Sequence, residues 1–236
     1  MITIHKPLNS NSLYTNQGNP SVLQFLEESD RTILDVGCGA GDTGQLIRSV
    51  YPTAHITGIT CSSLEYEQAA KKLDCCVCLD IEREPLPTLP HQEFDVFCLI
   101  HVLEHLVDPV ATIQKLLPHL KVGGKIIIAL PNIANWRDRW KLALGKFEYT
   151  EGGVMDKTHL HFYTFHTATR YLIEPIPQLK IEHHLVTGSV PLAFLRHHFL
   201  NQGLRKKIDN WGCYWMPNLF GSEILIKASK NFEGGE

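Results

Sequence analysis

The sequence predicts an α/β protein: a doubly wound sheet, mostly parallel, with helices on both faces. Three observations predict it. Between residues 20 and 130, strand-like apolar runs alternate with segments of helical period. The runs are nearly continuous Val, Ile, Leu and Cys, as strands covered on both faces require. The first of them, "TILDV", opens directly into a loop with glycines at alternate positions, Gly37, Gly39 and Gly41.

The elements follow in order. After a polar arm over 1–19, "PSVLQFLEES" reads as a short helix capped by Ser21, with Val22, Leu23, Phe25 and Leu26 as its apolar positions. "TILDV" is the first strand. "TGQLIRSVY" is helical, with Leu46, Ile47 and Val50 at core spacing. "HITGIT" is the second strand. "SSLEYEQAAKKL" is a helix opened by Ser62 or Ser63, with Glu65 placed to complete a capping box with Ser62. "CCVCLD" and "FDVFCLI" are the third and fourth strands, joined by the proline-rich loop "EREPLPTLPHQE". "VATIQKLLPHL" is a helix, turned by Gly123 and Gly124 into the fifth strand "KIIIAL", which Pro131 stops. From 132 the chain is rich in aromatics, histidines and charges without clean periodicity, and reads as an insertion over the sheet at about 132–165. "FHTATRYLIEP" is a helix, "LKIEHHLVT" a strand, 191–220 a second elaboration, and "SEILIKAS" the closing strand. The expected organisation is an arm and helix over 1–30 and one domain over 31–236.

The chain has 236 residues, 44% hydrophobic and 20% charged, with a net charge of −3. These are the values of a globular protein with one sizeable core. They argue against a protein that holds nucleic acid by bulk electrostatics. No apolar run approaches the ~18 residues of a membrane helix. The polar start "MITIHKPLNSNS" lacks the apolar stretch of a signal peptide, so the expected location is the cytoplasm. Seven cysteines, three of them in "CCVCLD", read as small buried hydrophobes rather than a disulfide framework or a zinc site. Cys76 and Cys78 share one face of that strand and Cys75 takes the other.

In a doubly wound sheet, ligands bind outside the carboxyl ends of the strands, where the first loop meets a helix. Glycines there let backbone approach a ligand closely. The loop is G-C-G-A-G rather than G-x-G-x-x-G, so its third glycine comes one residue early. That spacing argues against a dinucleotide, whose pyrophosphate sits on the helix N-terminus.

The full run "ILDVGCGAG" resembles the first motif of class I S-adenosylmethionine-dependent methyltransferases. The later landmarks "LDIEREPLP", "FDVFCLIHVLEHLVDP", "LLPHLKVGGKIIIALPN" and "SEILIKAS" resemble that family's in order, over roughly residues 30 to 230. "VGGKIIIALPNIANWRDRW" followed by "MDKTHLHFYT" looks like the bacterial branch with methionine-biosynthesis-W-type and related small-molecule or glycan methyltransferases. The resemblance implies a Rossmann-like, three-layer α/β/α fold with seven strands, the last antiparallel. It implies S-adenosyl-L-methionine as cofactor and S-adenosyl-L-homocysteine as product. Carried over by position, Gly37, Cys38, Gly39 and Gly41 form the loop along which the cofactor runs. Asp35 orients that loop and the methionine amine. Asp80 accepts from the adenine amino group and Ile81 meets the ring. Leu99, Ile100 and His101 lie near the amino-acid end. The second strand of this family ends in an acid for the ribose hydroxyls, and here that place is Thr60. A threonine there is similar to the cyclopropane-fatty-acid-synthase type, which raises lipid chemistry as an alternative. A nucleoside-binding regulator without turnover is another.

Methyl transfer from a sulfonium is an in-line displacement, helped by alignment, and needs a base only where the acceptor must lose a proton. Two segments offer one: His101, Glu104 and His105 in "HVLEH", and Asp156, His159 and His161 in "DKTHLHFYT". On a helical turn His101 and His105 share a face. His159 and His101 are the expected catalytic residues, His159 as general base. Trp136, Trp140, Tyr149, Phe162 and Tyr163 are expected as pocket walls. The leading reading uses no metal. The alternative is a metal held by His101, Glu104, His105 and His159, since some relatives, ubiquinone-pathway O-methyltransferases among them, hold a divalent metal with an E-x-x-E-H segment. The expected partner is a small-molecule, lipid-linked or sugar-linked acceptor. The aromatic-rich 191–220, with Arg205, Lys206 and Lys207, reads as a lid, a dimer face or a lipid-facing cap.

Overall fold

The computed structural model describes residues 18–192, 196 and 198–231; most of the polar arm lies outside them. Seven strands form one sheet: β1 (Thr32–Val36), β2 (His55–Thr60), β3 (Cys75–Cys78), β4 (Phe94–Ile100), β5 (Leu120–Pro131), β6 (Leu179–Gly188) and β7 (Gly221–Lys230). Their order is β3-β2-β1-β4-β5-β7-β6. The first five pair in parallel, and β7 pairs antiparallel with both β5 and β6. The expected three-layer, mostly parallel sheet is the one observed.

The strands are apolar throughout because alternate residues enter two separate cores. Leu34, Val36, Phe97, Leu99, Ile126 and Ile128 pack on one face, with Ile113 and Leu116 of α3 (Pro109–Leu116) and Ala168 and Leu172 of α5 (Phe165–Leu172). Ile33, Val96, Cys98, Ile127 and Ala129 pack on the other, with Ile47 of α1 (Asp42–Val50) and Ala69 of α2 (Ser63–Ala69). Each fully buried aliphatic contributes about 1.5–3 kcal/mol, so a polar residue at any of these places would weaken the sheet.

Several local expectations are corrected. "PSVLQF" is a 3₁₀ turn, and its cap is Asn19, whose side chain accepts from Ser21 N, rather than Ser21. Val50 is 49% exposed because α1 ends there and turns it away from the sheet. α2 stops at Ala69, short of Leu73. α3 starts at Pro109, capped by Asp108, and gives way to a 3₁₀ turn at Leu117–His119. The insertion contains a helix, α4 (Trp136–Ala143), capped by Asn135. The second elaboration holds α6 (Gln202–Trp215) and α7 (Pro217–Phe220). The cysteines are free thiols, but only Cys38, Cys98 and Cys213 are buried; Cys61 and Cys78 are exposed. β3 is an edge strand with one neighbour, so its side chains are covered less than those of the central strands.

Candidate active site

The strand order reverses between β2 and β4, on either side of β1. The glycine loop leaves β1 at this switch point, where such sheets open a crevice for ligands. Gly37, Gly39 and Gly41 have φ of 71, 53 and 81°, in the left-handed region that glycine alone enters without strain. Gly37 is also sterically required, since a Cβ on it would lie 2.7 Å from Val102 Cγ2. Cys38 N donates to Ile59 O at 2.9 Å. The Cys38 side chain is buried, packed over Gly58 and against the Cys76 thiol. Its sulfur is therefore enclosed, and its backbone N–H and carbonyl are held by Ile59 and Gly41.

Asp35 lies under this loop with 1% exposure, and its Oδ2 has no hydrogen-bond partner among the described residues. Burial pushes its carboxyl from 3.8 up to about 7. A carboxyl so raised keeps its proton in the fold over a range where the unfolded chain has lost it. The ligand-free fold therefore loses stability as pH rises from about 4 to 7. Asp35→Asn is expected to melt higher than the parent at pH 8 and level with it near pH 4, as read by thermal denaturation.

At the end of β2, Thr60 is buried, and its hydroxyl donates to Glu65 Oε2 at 2.7 Å. The capping box is therefore half made. Ser62 Oγ accepts from Glu65 N, but the Glu65 carboxylate turns back to Thr60. A carboxylate thus stands beside the strand end where the sequence has a threonine. Glu65 is the residue that reading the strand by itself misses. Its signal is an acid in the first turn of the following helix. At the end of β3, Asp80 Oδ1 accepts from Glu82 N and Arg83 N, and Oδ2 lies 3.5 Å from Arg83. Asp80 thus closes its own turn. Ile81 is buried, and its carbonyl accepts from Lys115 Nζ.

β4 ends in an irregular turn. Leu99 is fully buried in the core, so its side chain faces away from a ligand, and Ile100 is half-buried. His101 has φ 53°, a strained value for a residue other than glycine. It breaks the run, so His101 and His105 do not share a helical face; only Leu103–His105 forms a 3₁₀ turn. His101 Nε2 lies 2.8 Å from Glu223 Oε1 and its Nδ1 3.4 Å from Glu104 Oε1. Partial burial opposes charge on the ring, but the two carboxylates outweigh it and raise its pKa to about 9. Both ring nitrogens thus face carboxylates, and His101 bridges Glu104 and Glu223. Glu223 on β7, which the sequence did not single out, also accepts from Asn19 and Thr187.

Glu104 is 1% exposed, and apart from the 3.4 Å approach of His101 Nδ1 neither carboxylate oxygen has a hydrogen-bond partner among the described residues. Its carbonyl accepts from Leu160 N and His161 N, which stitches the second histidine segment to the first. Thr158 donates its one hydroxyl hydrogen to Asp156. His105 Nδ1, 3.0 Å from that hydroxyl oxygen, is therefore the donor to it. His159 Nδ1 lies 3.1 Å from the Val154 carbonyl and donates to it, which bares Nε2 toward Glu104 Oε1 at 4.0 Å. Burial holds His159 below the ordinary histidine range. Ligand atoms of Glu104, His105 and His159 all lie within 4.8 Å of one another. His101 stands outside this group.

Of the expected walls, Tyr163 is buried and Trp136 half-buried, its indole donating to Ser189 O. Trp140 and Tyr149 are 64% and 62% exposed and wall nothing, because α4 and the loop after it stand clear of the sheet. Phe162 is exposed too. The charged groove at the opposite, amino edge satisfies itself: Lys125 pairs with Asp30, Lys227 with Glu182 and Lys121 with Asp95.

A family model described as a methyltransferase domain matches residues 14–173. A ubiquinone biosynthesis O-methyltransferase of Idiomarina loihiensis is 30% identical over 152 residues, covering 61% of each chain. A trans-aconitate 2-methyltransferase of Klebsiella pneumoniae is 32% identical over 106 residues, 45% of this chain and 40% of that one. This chain spans less than two thirds of the length of the curated relatives it matches first. Among solved structures, the plantazolicin methyltransferase BpumL, in complex with a monoazolic desmethylPZN analog and SAH, superposes with a TM-score of 0.55. It is 22% identical, with 89% of this chain and 79% of that one covered; that likeness is one of fold. The family match runs over the glycine loop, the ends of β2, β3 and β4, and the Glu104–His159 cluster, and the chain belongs to the class I S-adenosylmethionine-dependent methyltransferase family.

Proposed function

We propose that this chain transfers a methyl group from S-adenosyl-L-methionine to oxygen or nitrogen of a small-molecule, lipid-linked or sugar-linked acceptor. The observation that carries this reading is the buried, unpartnered Asp35 Oδ2 beneath three left-handed glycines at the switch point. An orphaned buried carboxylate oxygen needs a partner, and the α-ammonium of the cofactor's methionine end is one. The loop Gly37–Gly41 takes the ligand against backbone. Glu65, held by Thr60, accepts from the ribose hydroxyls; its Oε1 has no partner among the described residues. Asp80 keeps lone pairs beyond its own turn for the adenine amino group. The cofactor supplies an electrophilic methyl on a sulfonium.

For the acceptor, a second observation favours oxygen. Glu104, His105 and His159 bring a carboxylate oxygen and one imidazole nitrogen from each histidine within 4.8 Å of one another. That donor set fits a divalent cation, whose contribution is to lower the pKa of an acceptor hydroxyl. The Idiomarina loihiensis relative, an O-methyltransferase, points the same way. Without a cation, His159, held below the ordinary histidine range by burial, is the base the cluster offers.

Calorimetric titration with S-adenosylhomocysteine, with NAD as control and with chelator present and absent, tests this. Binding of the former alone is expected, unaffected by chelator, with chelator lowering turnover on hydroxyl acceptors. Binding of neither ligand would overturn the proposal. Binding without turnover across oxygen and nitrogen acceptors would leave a nucleoside-binding protein.

A further inference from the structure

α6 presents its apolar side outward. Leu204, Trp211 and Trp215 recur at spacings of seven and four, on one face of the helix, with Tyr214 beside them. Trp211, Tyr214 and Trp215 are 68%, 79% and 66% exposed. The buried side consists of small residues, Gly212 and Cys213. This orientation is locked. A Cβ on Gly212 would come within 2.3 Å of Val190 Cγ2 and 3.2 Å of Phe220 Cδ2. Asp209 Oδ1 accepts from Val190 N and Arg196, both at 2.9 Å. Turning the indoles inward would cost these contacts, and no side chain larger than glycine fits the seat.

The insertion does the same. Every residue from 139 to 151 is exposed, with Trp140, Leu142, Leu144, Phe147 and Tyr149 among them. The two elements belong to one end of the molecule. α4 follows the carboxyl end of β5, α6 and α7 lie between the end of β6 and the start of antiparallel β7, and Trp136 Nε1 bonds to Ser189 O. This is the edge that carries the glycine loop and Glu104.

The charge around these side chains selects the occupant. Over 137–151, Arg137, Arg139, Lys141 and Lys146 face three acids, Asp138, Glu148 and Glu151; Arg205, Lys206 and Lys207 face one acid, Asp209, within α6. Lys207 lies on the apolar face itself, three residues after Leu204 and four before Trp211. Both elements are net positive in a chain of net charge −3. A second copy would bring like charges together, whereas an anionic bilayer surface satisfies both the lysines and the indoles.

We propose that α4, the loop after it and α6 form a docking face for anionic membrane, which sets the edge carrying the candidate active site against the bilayer surface. Docking stands independently of methyl transfer. The test is flotation of the full chain with vesicles of phosphatidylglycerol and phosphatidylcholine, against phosphatidylcholine alone. Tryptophan emission and light scattering are followed in parallel. Binding to the anionic vesicles is expected, with a blue shift and loss at high salt. The double variant W211S/W215S, changed only at exposed positions, should bind vesicles roughly tenfold or more weakly and bind S-adenosylhomocysteine as the parent does. No vesicle binding, or binding that the variant leaves intact, overturns the proposal. So does a dimer in solution that the variant dissociates, which would make the face a contact between copies. Vesicle binding without S-adenosylhomocysteine binding overturns the methyltransferase reading and leaves the docking face standing.

Discussion

Replacing Glu104 by glutamine is expected to lower turnover on a hydroxyl acceptor by about 10²–10³-fold while S-adenosylhomocysteine binds within about threefold of the parent. The magnitude follows from the several kcal/mol that a Lewis-acid cation contributes, at 1.36 kcal/mol per factor of ten. Glutamine keeps the volume of a side chain that is 1% exposed, so packing is preserved while the charge that draws His105 and His159 into a donor set is gone. The measurement is steady-state kinetics with and without added divalent metal, alongside calorimetry. The parent should lose activity in chelator and regain it with metal; the variant should respond to neither. If Glu104→Gln instead melts far below the parent and the parent ignores chelator, the carboxylate is a structural brace for His101, and the cation reading fails. His159→Asn separates the remaining cases. A base acting without metal loses turnover in this variant while chelator leaves the parent untouched.

Replacing Glu65 by alanine is expected to weaken S-adenosylhomocysteine binding by about 10–100-fold, the equivalent of one to two charge-assisted hydrogen bonds at about 1.5–3 kcal/mol in total. Thr60→Val should cost less, because it removes the group that positions the carboxylate and leaves the carboxylate itself. Glu65→Gln should fall between the two, since an amide still accepts at one oxygen. Calorimetry of the three variants checks the order. A Glu65→Ala protein that binds like the parent would show that Thr60 and its carboxylate are only a helix cap, and would return the ribose to backbone groups. The hydrogen-bond geometry predicts otherwise: Thr60 is buried and spends its only proton on Glu65.

Which parts were legible beforehand follows from the range of the interactions involved. Strand positions, the switch-point loop and the α1, α3 and α5 segments are set by hydrophobic period and by glycine, both local properties of the chain. "TILDVGCGAG", together with the landmarks that follow it in order, therefore carried the fold class and the cofactor family. Helix ends were misread where two polar residues compete for one role, as with Asn19 and Ser21, or where an acid has a better partner than its cap, as with Glu65. The site at the end of β4 lay beyond local reading. His101, in a left-handed conformation, has its ring held by Glu223, 122 residues away, and the carbonyl of Glu104 binds the segment that carries His159. The outward face of α6 was likewise decided by packing, since its pattern of aromatics is that of an ordinary buried stripe until Gly212 seats the helix the other way. Sequence by itself determined the sheet, the loop and the family, because those rest on backbone geometry and periodic burial. Only tertiary structure decided which histidine keeps a lone pair, where the missing acid stands and which face of a helix meets solvent, because each depends on partners far apart in the chain.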